Sequence, residues 1–108
     1  MQLISRSEER ILLTIFKLDQ EAYGVRIREQ IYRDTGTWWS YASIYRPLGR
    51  LTRRQYVEKA KGESTAERGG KSKYYYTVTS PGKKALLKVR EAQRKIWEIV
   101  PDVALKTR

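Results

Sequence analysis

The stretch Ser40-Tyr-Ala-Ser-Ile-Tyr-Arg-Pro-Leu-Gly-Arg-Leu-Thr-Arg-Arg54 decides how the rest of the chain is organised. Ser40 suits a helix N-cap, because its hydroxyl can accept a backbone N–H one turn on. Ile44, Leu48 and Leu51 recur at helical spacing and predict one buried face. Ser43, Arg46, Arg50, Arg53 and Arg54 fall largely outside that stripe. A short helix with an apolar back and an outer face of hydroxyls and guanidinium groups can lie in the major groove of DNA. Arginine donates two bonds to a guanine edge, and hydroxyls reach phosphates or bases. A basic helix that is merely solvated is the competing reading of this stretch alone. Pro47 and Gly49 conflict locally with a helix, since proline removes a backbone bond and glycine weakens the interior. The cap and the periodicity outweigh them.

The whole chain narrows the chemistry. Its 108 residues fit one domain with a modest core. With no Cys and no His, disulfides, thiolate metal sites, the commonest metal ligand and the commonest general base are all excluded. No clustered carboxylates, phosphate-cradling glycine loop or nucleophile constellation is visible, so no catalytic residue, metal or cofactor is expected and an enzyme is the least favoured class. Lys and Arg total 23 against 12 acids, a net charge of +11 that favours polyanions: DNA, RNA or an anionic membrane surface. No apolar run is long enough to cross a bilayer and the first seven residues lack a signal-peptide hydrophobic region, so a soluble cytoplasmic protein is expected.

Upstream, Ser5-Arg-Ser-Glu8 has the form of a capping box ahead of Ile11, Leu12, Ile15, Phe16 and Leu18, which predicts a helix over about residues 6–18. A polar turn at 19–22 precedes a second helix over about 23–34, ended by Gly36. Tyr23 and Gly24 at its start could let the chain approach a phosphate, as helix N-termini favour. They could equally be a packing tyrosine and a turn glycine. Thr37-Trp38-Trp39 is aromatic and β-prone, and a short strand is expected there, with one Trp packed in the core against the first helix.

Downstream, residues 56–60 and 72–78 predict the two strands of a hairpin, with Tyr74, Tyr76 and Val78 on one face of the second strand. Residues 61–71 carry three glycines and no apolar periodicity, which predicts a flexible loop. Its basic tip, with Arg68, Lys71 and Lys73, suits phosphate or minor-groove contact, or is simply a solvated loop. Thr79-Ser-Pro-Gly82 starts a last helix of about five turns before Pro101. Its apolar surface is large for a terminal element, and part of it is expected to meet a second copy through Leu86, Val89, Ile96, Trp97 and Val100. The alternative is that it folds back on its own core.

Helix, helix, short strand, basic helix, hairpin and long helix is the winged helix-turn-helix order. The residues also resemble a family, the PadR-like transcriptional regulators. The likeness lies in Tyr23-Gly-Val-Arg-Ile27, Ser43-Ile-Tyr-Arg-Pro-Leu-Gly-Arg-Leu51 and Lys73-Tyr-Tyr-Tyr-Thr-Val-Thr-Ser-Pro-Gly82, three motifs in register over about residues 9–90. The chain departs from the family at two points. Arg46 stands after the recognition-helix tyrosine, where proline is usual, with Pro47 next. Gln55 replaces the glycine common before the first wing strand. The resemblance implies a homodimeric, repressor-type DNA binder joined through its C-terminal helix. Tyr23 and Gly24 would then start the helix before the turn. Ser43, Tyr45, Arg46 and Arg50 would lie on or beside the groove-facing side, next to the Ser40 cap, with Lys71 and Lys73 at the wing. Some relatives bind small aromatic compounds at the dimer interface, where Trp97 would be a lining residue or an interface anchor.

The expected fold is therefore α+β and mostly helical: a winged helix-turn-helix over residues 1–80 and a C-terminal dimerisation helix and tail over 81–108, in one compact unit. The expected function is sequence-specific double-stranded DNA binding by a homodimer on a palindromic operator, as a repressor. The competing functions are a non-specific nucleic-acid (RNA or DNA) binding protein and a protein-interaction module.

Overall fold

The computed structural model describes residues 2–64 and 72–106. The first helix, α1 (Arg6–Leu18), opens with a complete capping box. Ser5 Oγ accepts the Glu8 N–H at 3.1 Å, and Glu8 Oε1 accepts the Ser5 N–H at 2.7 Å. Ile11, Leu12, Ile15 and Leu18 recur on one side of α1 and are all buried. A 3-10 turn (Asp19–Glu21) leads into α2 (Gly24–Thr35), which stops at Gly36 in the left-handed region. The next helix, α3 (Tyr41–Arg53), is capped by Ser40, whose Oγ accepts the Ser43 N–H at 3.1 Å.

Pro47 does not break α3. It is buried beside Ile44, Leu48 and Leu51, and the only bond it removes is the one the Ser43 carbonyl would have accepted. Ser43 is exposed, so water can replace that donor. The helix ends in a two-bond cap: the Gln55 N–H donates to the Thr52 carbonyl at 3.0 Å and the Tyr56 N–H to the Leu51 carbonyl at 2.9 Å. This is the Schellman arrangement, and it puts Gln55 at φ +63°.

The wing is a hairpin of β1 (Val57–Ser64) and β2 (Ser72–Val78), antiparallel, with Val57 opposite Val78. β1 runs further than the sequence predicts. Residues 61–64 are strand rather than loop, because pairing resumes at Ser64 and Ser72 past an irregularity. Gly62 leaves room for the Tyr75 ring, whose Cδ2 would stand 2.8 Å from a Cβ there. Tyr76 and Val78 face the core, whereas Tyr74, further out on the wing, is exposed.

The short strand expected at residues 37–39 does not form. Its place beside the hairpin is taken by the segment before α2: Tyr23 pairs with Tyr75, and the Tyr76 N–H donates to the Ala22 carbonyl at 2.8 Å. The aromatic run instead serves the turn between α2 and α3. Trp39 packs against the core, and exposed Trp38 stacks on Tyr32.

The long helix α4 (Ser80–Ile99) starts at Thr79, whose Oγ1 accepts the Gly82 N–H at 3.1 Å and donates to the Gln55 carbonyl at 2.7 Å. One hydroxyl thus ties the end of α3 to the start of α4. Ala85 and Val89 are buried, Leu86 packs on the core, and Gln93 Nε2 donates to Glu9 Oε1 on α1 at 3.0 Å. Beyond Gln93 every described residue of α4 and of the short α5 (Asp102–Lys106) is exposed. α1 is the hub of the fold, packed against α2, α3, β2 and α4.

Candidate nucleic-acid interface

The outer side of α3 follows from its buried one. With Ile44, Pro47, Leu48 and Leu51 inside, Ala42, Arg46, Gly49 and Arg53 point away from the core at 100° per residue. Arg46 is exposed and no hydrogen bond or ion pair holds it among the described residues. The Arg53 guanidinium lies along the helix, with Nη1 3.4 Å from where a Gly49 Cβ would stand.

Arg50 is turned to the α1 flank. Its Nε lies 3.5 Å from Glu8 Oε2, and Arg54 Nη1 lies 3.9 Å from the same oxygen. Glu8 is only 4% exposed. Burial would raise its pKa, but the Ser5 N–H and hydroxyl and the Arg50 guanidinium outweigh burial and hold the carboxyl below the usual carboxylate range. The expectation of Arg50 as a groove-facing reader is thereby qualified: it is exposed, yet tethered to the capping box of α1. Between α1 and α3 runs an open groove of about 1020 Å³, flanked by Arg6, Arg10, Arg46, Arg50, Trp39 and Gln93.

On the other flank, α3 meets the start of α2 and the wing. The Tyr45 ring lies over Gly24, with Cζ 2.6 Å from where a Cβ would be. Gly24 is buried by that ring, so its role is to admit Tyr45. Tyr23 supplies no side-chain cap to α2, so among the described residues no side chain caps the start of the helix. Lys73 Nζ sits 4.1 Å from the centroid of the Tyr23 ring, and Tyr75 meets that ring edge-on at 5.6 Å. Tyr23, Gly24, Val25, Tyr45, Lys73 and Tyr74 thus border one shallow depression between helix and wing. Ser40 and Ser43 hydroxyls bond each other at 2.9 Å and serve the cap of α3. Arg68 and Lys71 lie outside the described residues.

A model of the transcriptional regulator PadR-like family matches residues 11–88. The chain belongs to that family. DNA-binding regulation of transcription is therefore the function class of this PadR-like protein, and its relatives are regulators rather than enzymes. Solved structures share its fold. A PadR-like transcriptional regulator of Bacillus cereus is 24% identical with a TM-score of 0.72, over 94% of this chain and 92% of that one. A transcriptional regulator of Clostridium thermocellum is 19% identical with a TM-score of 0.74, over 98% and 100%. A PadR family regulator of Eggerthella lenta is 21% identical with a TM-score of 0.66, over 93% and 87%. No curated relative matches the chain. Among the described residues, no helix is long and apolar enough to cross a membrane.

The expected interface set on the PadR-like α4 divides in two. Val89 is 5% exposed within its own chain, which corrects its expected place between subunits, and Leu86 is partly covered by the same core. They lie on the first half of α4, where α1 is close enough to cover them. Ile96, Trp97 and Val100 lie beyond the last contact with α1 and are open, as are Leu87 and Ile99. Sequence reasoning gave no role to Arg28 or Tyr41, which meet Trp38 at the turn between α2 and α3. One signal was available: Tyr41 and Tyr45 are four apart and so share a side of α3.

Proposed function

We propose that the chain is a homodimeric, sequence-specific binder of double-stranded DNA, acting as a repressor on a palindromic operator. The observation that carries this reading is Arg46, exposed and unpaired among the described residues, on the outermost face of a well-capped α3. A guanidinium so presented matches a guanine edge in the major groove. The start of α2 and Lys73 on the wing flank it with phosphate-seeking groups, and the net charge of +11 supports affinity for the backbone.

Dimerisation is supported by α4. Trp97 is 57% exposed and Ile96 63%, on a helix that has already left its own core. A stripe of that size in water favours a second copy. A twofold pair would set two α3 helices about one helical turn of DNA apart. A flat aromatic effector would find its place against Trp97 within that contact. Mobility shifts on a palindromic duplex selected from a random pool, and on its scrambled version, test the reading. Preference for the palindrome is expected, and equal affinity for both would reject specific readout in favour of non-specific nucleic-acid binding.

A further inference from the structure

Arg28 is held differently from the ion-paired arginines. Arg50, Arg54 and Arg94 each meet a carboxylate, Arg54 also lying 4.9 Å from the Tyr56 ring centroid. Arg28 meets rings. Its Cζ lies 4.9 Å from the Trp38 ring centroid and 4.3 Å from that of Tyr41. Its Nε donates to the Trp39 carbonyl at 2.6 Å. Trp38 is braced in turn by Tyr32, with centroids 4.2 Å apart and planes 7° from parallel. Two exposed rings, from the turn and from α3, thus meet one cation, and a third exposed ring on α2 backs the first.

The stack fixes the guanidinium plane without neutralising it. Arginine has five N–H donors, and Arg28 spends one on Trp39. No acceptor among the described residues engages its two Nη groups, which are the pair that bridges two oxygens of a phosphate. Tyr41 is followed one turn on by Tyr45, with ring centroids 6.3 Å apart, and Tyr45 covers the start of α2 beside Tyr23 and Lys73. Arg28 and Lys73 are therefore two ring-seated cations along one flank of α3. The rings themselves are engaged with one another and with these cations, which disfavours a role in stacking on bases.

We propose that Arg28 is a preset phosphate clamp, which binds a backbone phosphate on one wall of the groove that α3 enters. This rests on the double-stranded DNA reading above. A phosphate fits better than a base, because Arg28 is pinned against the side of α3 by its own Nε and two rings. Side chains that reach base edges must project from the outer face instead.

The full chain and its Arg28→Ala, Arg28→Lys and Trp38→Ala variants would be titrated with a mixed-sequence duplex and with an alternating poly(dA-dT) duplex at several salt concentrations, alongside thermal melts. Arg28→Ala should weaken both duplexes alike by about tenfold and lower the salt slope by roughly one per subunit. Arg28→Lys should keep the slope but recover only part of the affinity, and Trp38→Ala should weaken both duplexes with the slope intact. An unchanged slope in folded Arg28→Ala, with or without a lower melting temperature, would reduce Arg28 to a scaffold group and overturn the proposal. So would a loss confined to one of the duplexes. A wild-type chain that binds neither duplex would instead remove the DNA reading, and the clamp with it.

Discussion

The Tyr45 ring occupies the space that any side chain larger than hydrogen at position 24 would need. One residue of α3 is thereby seated directly on the first residue of α2, and the angle between the two helices depends on a missing Cβ. Gly24→Ala should force Tyr45 off its seat. The clashing atoms are the far end of a side chain that is 45% exposed and can swing outward, so the cost should stay at the low end for overpacking, about 1 kcal/mol. Urea melts of Gly24→Ala, Tyr45→Ala and the double variant would measure the coupling. The double variant should be no less stable than Tyr45→Ala alone, and strict additivity would show that the two residues do not compete for space.

The cap of α3 carries a second strain. Gln55 has φ +63°, and a residue with a Cβ is disfavoured there by roughly 1–2 kcal/mol. Both cap bonds are made by the backbone, so glycine would preserve them. Gln55→Gly should raise stability by about 1 kcal/mol, after allowance for the greater freedom of glycine in the unfolded chain. A denaturant midpoint at or below that of the wild type would show that the Gln55 side chain contributes something this cap does not reveal.

Much of this was legible before any coordinates. The Ser5–Glu8 box, the Ser40 and Thr79 caps, the Gly36 stop and the apolar stripes of α1 and α3 are local patterns, and each element formed where its pattern lay. Non-local choices were not legible. Nothing in the period of Thr37–Trp39 tells that the β2 edge would be met by Ala22 and Tyr23 instead. The same limit applies to the site. That Arg46 and Arg50 lie outside the apolar stripe is a property of one helix, but that Glu8 waits beside Arg50 depends on how α1 crosses α3. The division of α4 into a covered and an open half likewise depends on where α1 ends.

The two groove-side arginines should therefore separate on substitution. Arg50→Ala removes a tether from buried Glu8, so its main effect should be on folding, a loss of about 1–2 kcal/mol. Arg46→Ala should leave the melt unchanged and relax one operator position at a cost of roughly 1–3 kcal/mol. Binding to a panel of single-base operator variants would decide. If Arg50→Ala relaxes a base position and Arg46→Ala does not, the assignment of the two is reversed.

Glu8 makes a pH prediction. Its ordinary value is 4.5, and in the folded chain it is held lower, because the Ser5 groups and Arg50 outweigh the burial that opposes them. A depressed carboxylate stabilises the fold above its unfolded value and ceases to do so as pH falls through the folded one. The tether of α3 to α1 should be fully present above about pH 5 and fade below pH 4.5. Glu8→Gln should be less stable at neutral pH, and its stability should fall less steeply in acid. Parallel loss in both proteins between neutral pH and pH 4 would place the acid sensitivity elsewhere.

The open half of α4 makes the last prediction. Ile96, Trp97, Ile99 and Val100 are exposed on a helix whose earlier turns are buried against α1. Burying side chains of this kind is worth about 1.5–3 kcal/mol each, enough for a few of them to hold two subunits together. A charge there should be costly in the dimer and harmless in the monomer, since Trp97 is 57% exposed and outside the buried core of its own chain. Trp97→Asp should shift sedimentation from dimer to monomer while the thermal transition of the winged domain persists. Operator affinity should then fall steeply, because one α3 would have to hold a half-site alone. A Trp97→Asp protein that still sediments as a dimer would move the subunit contact away from the end of α4, and a wild-type chain that is monomeric at micromolar concentration would remove the twofold model altogether.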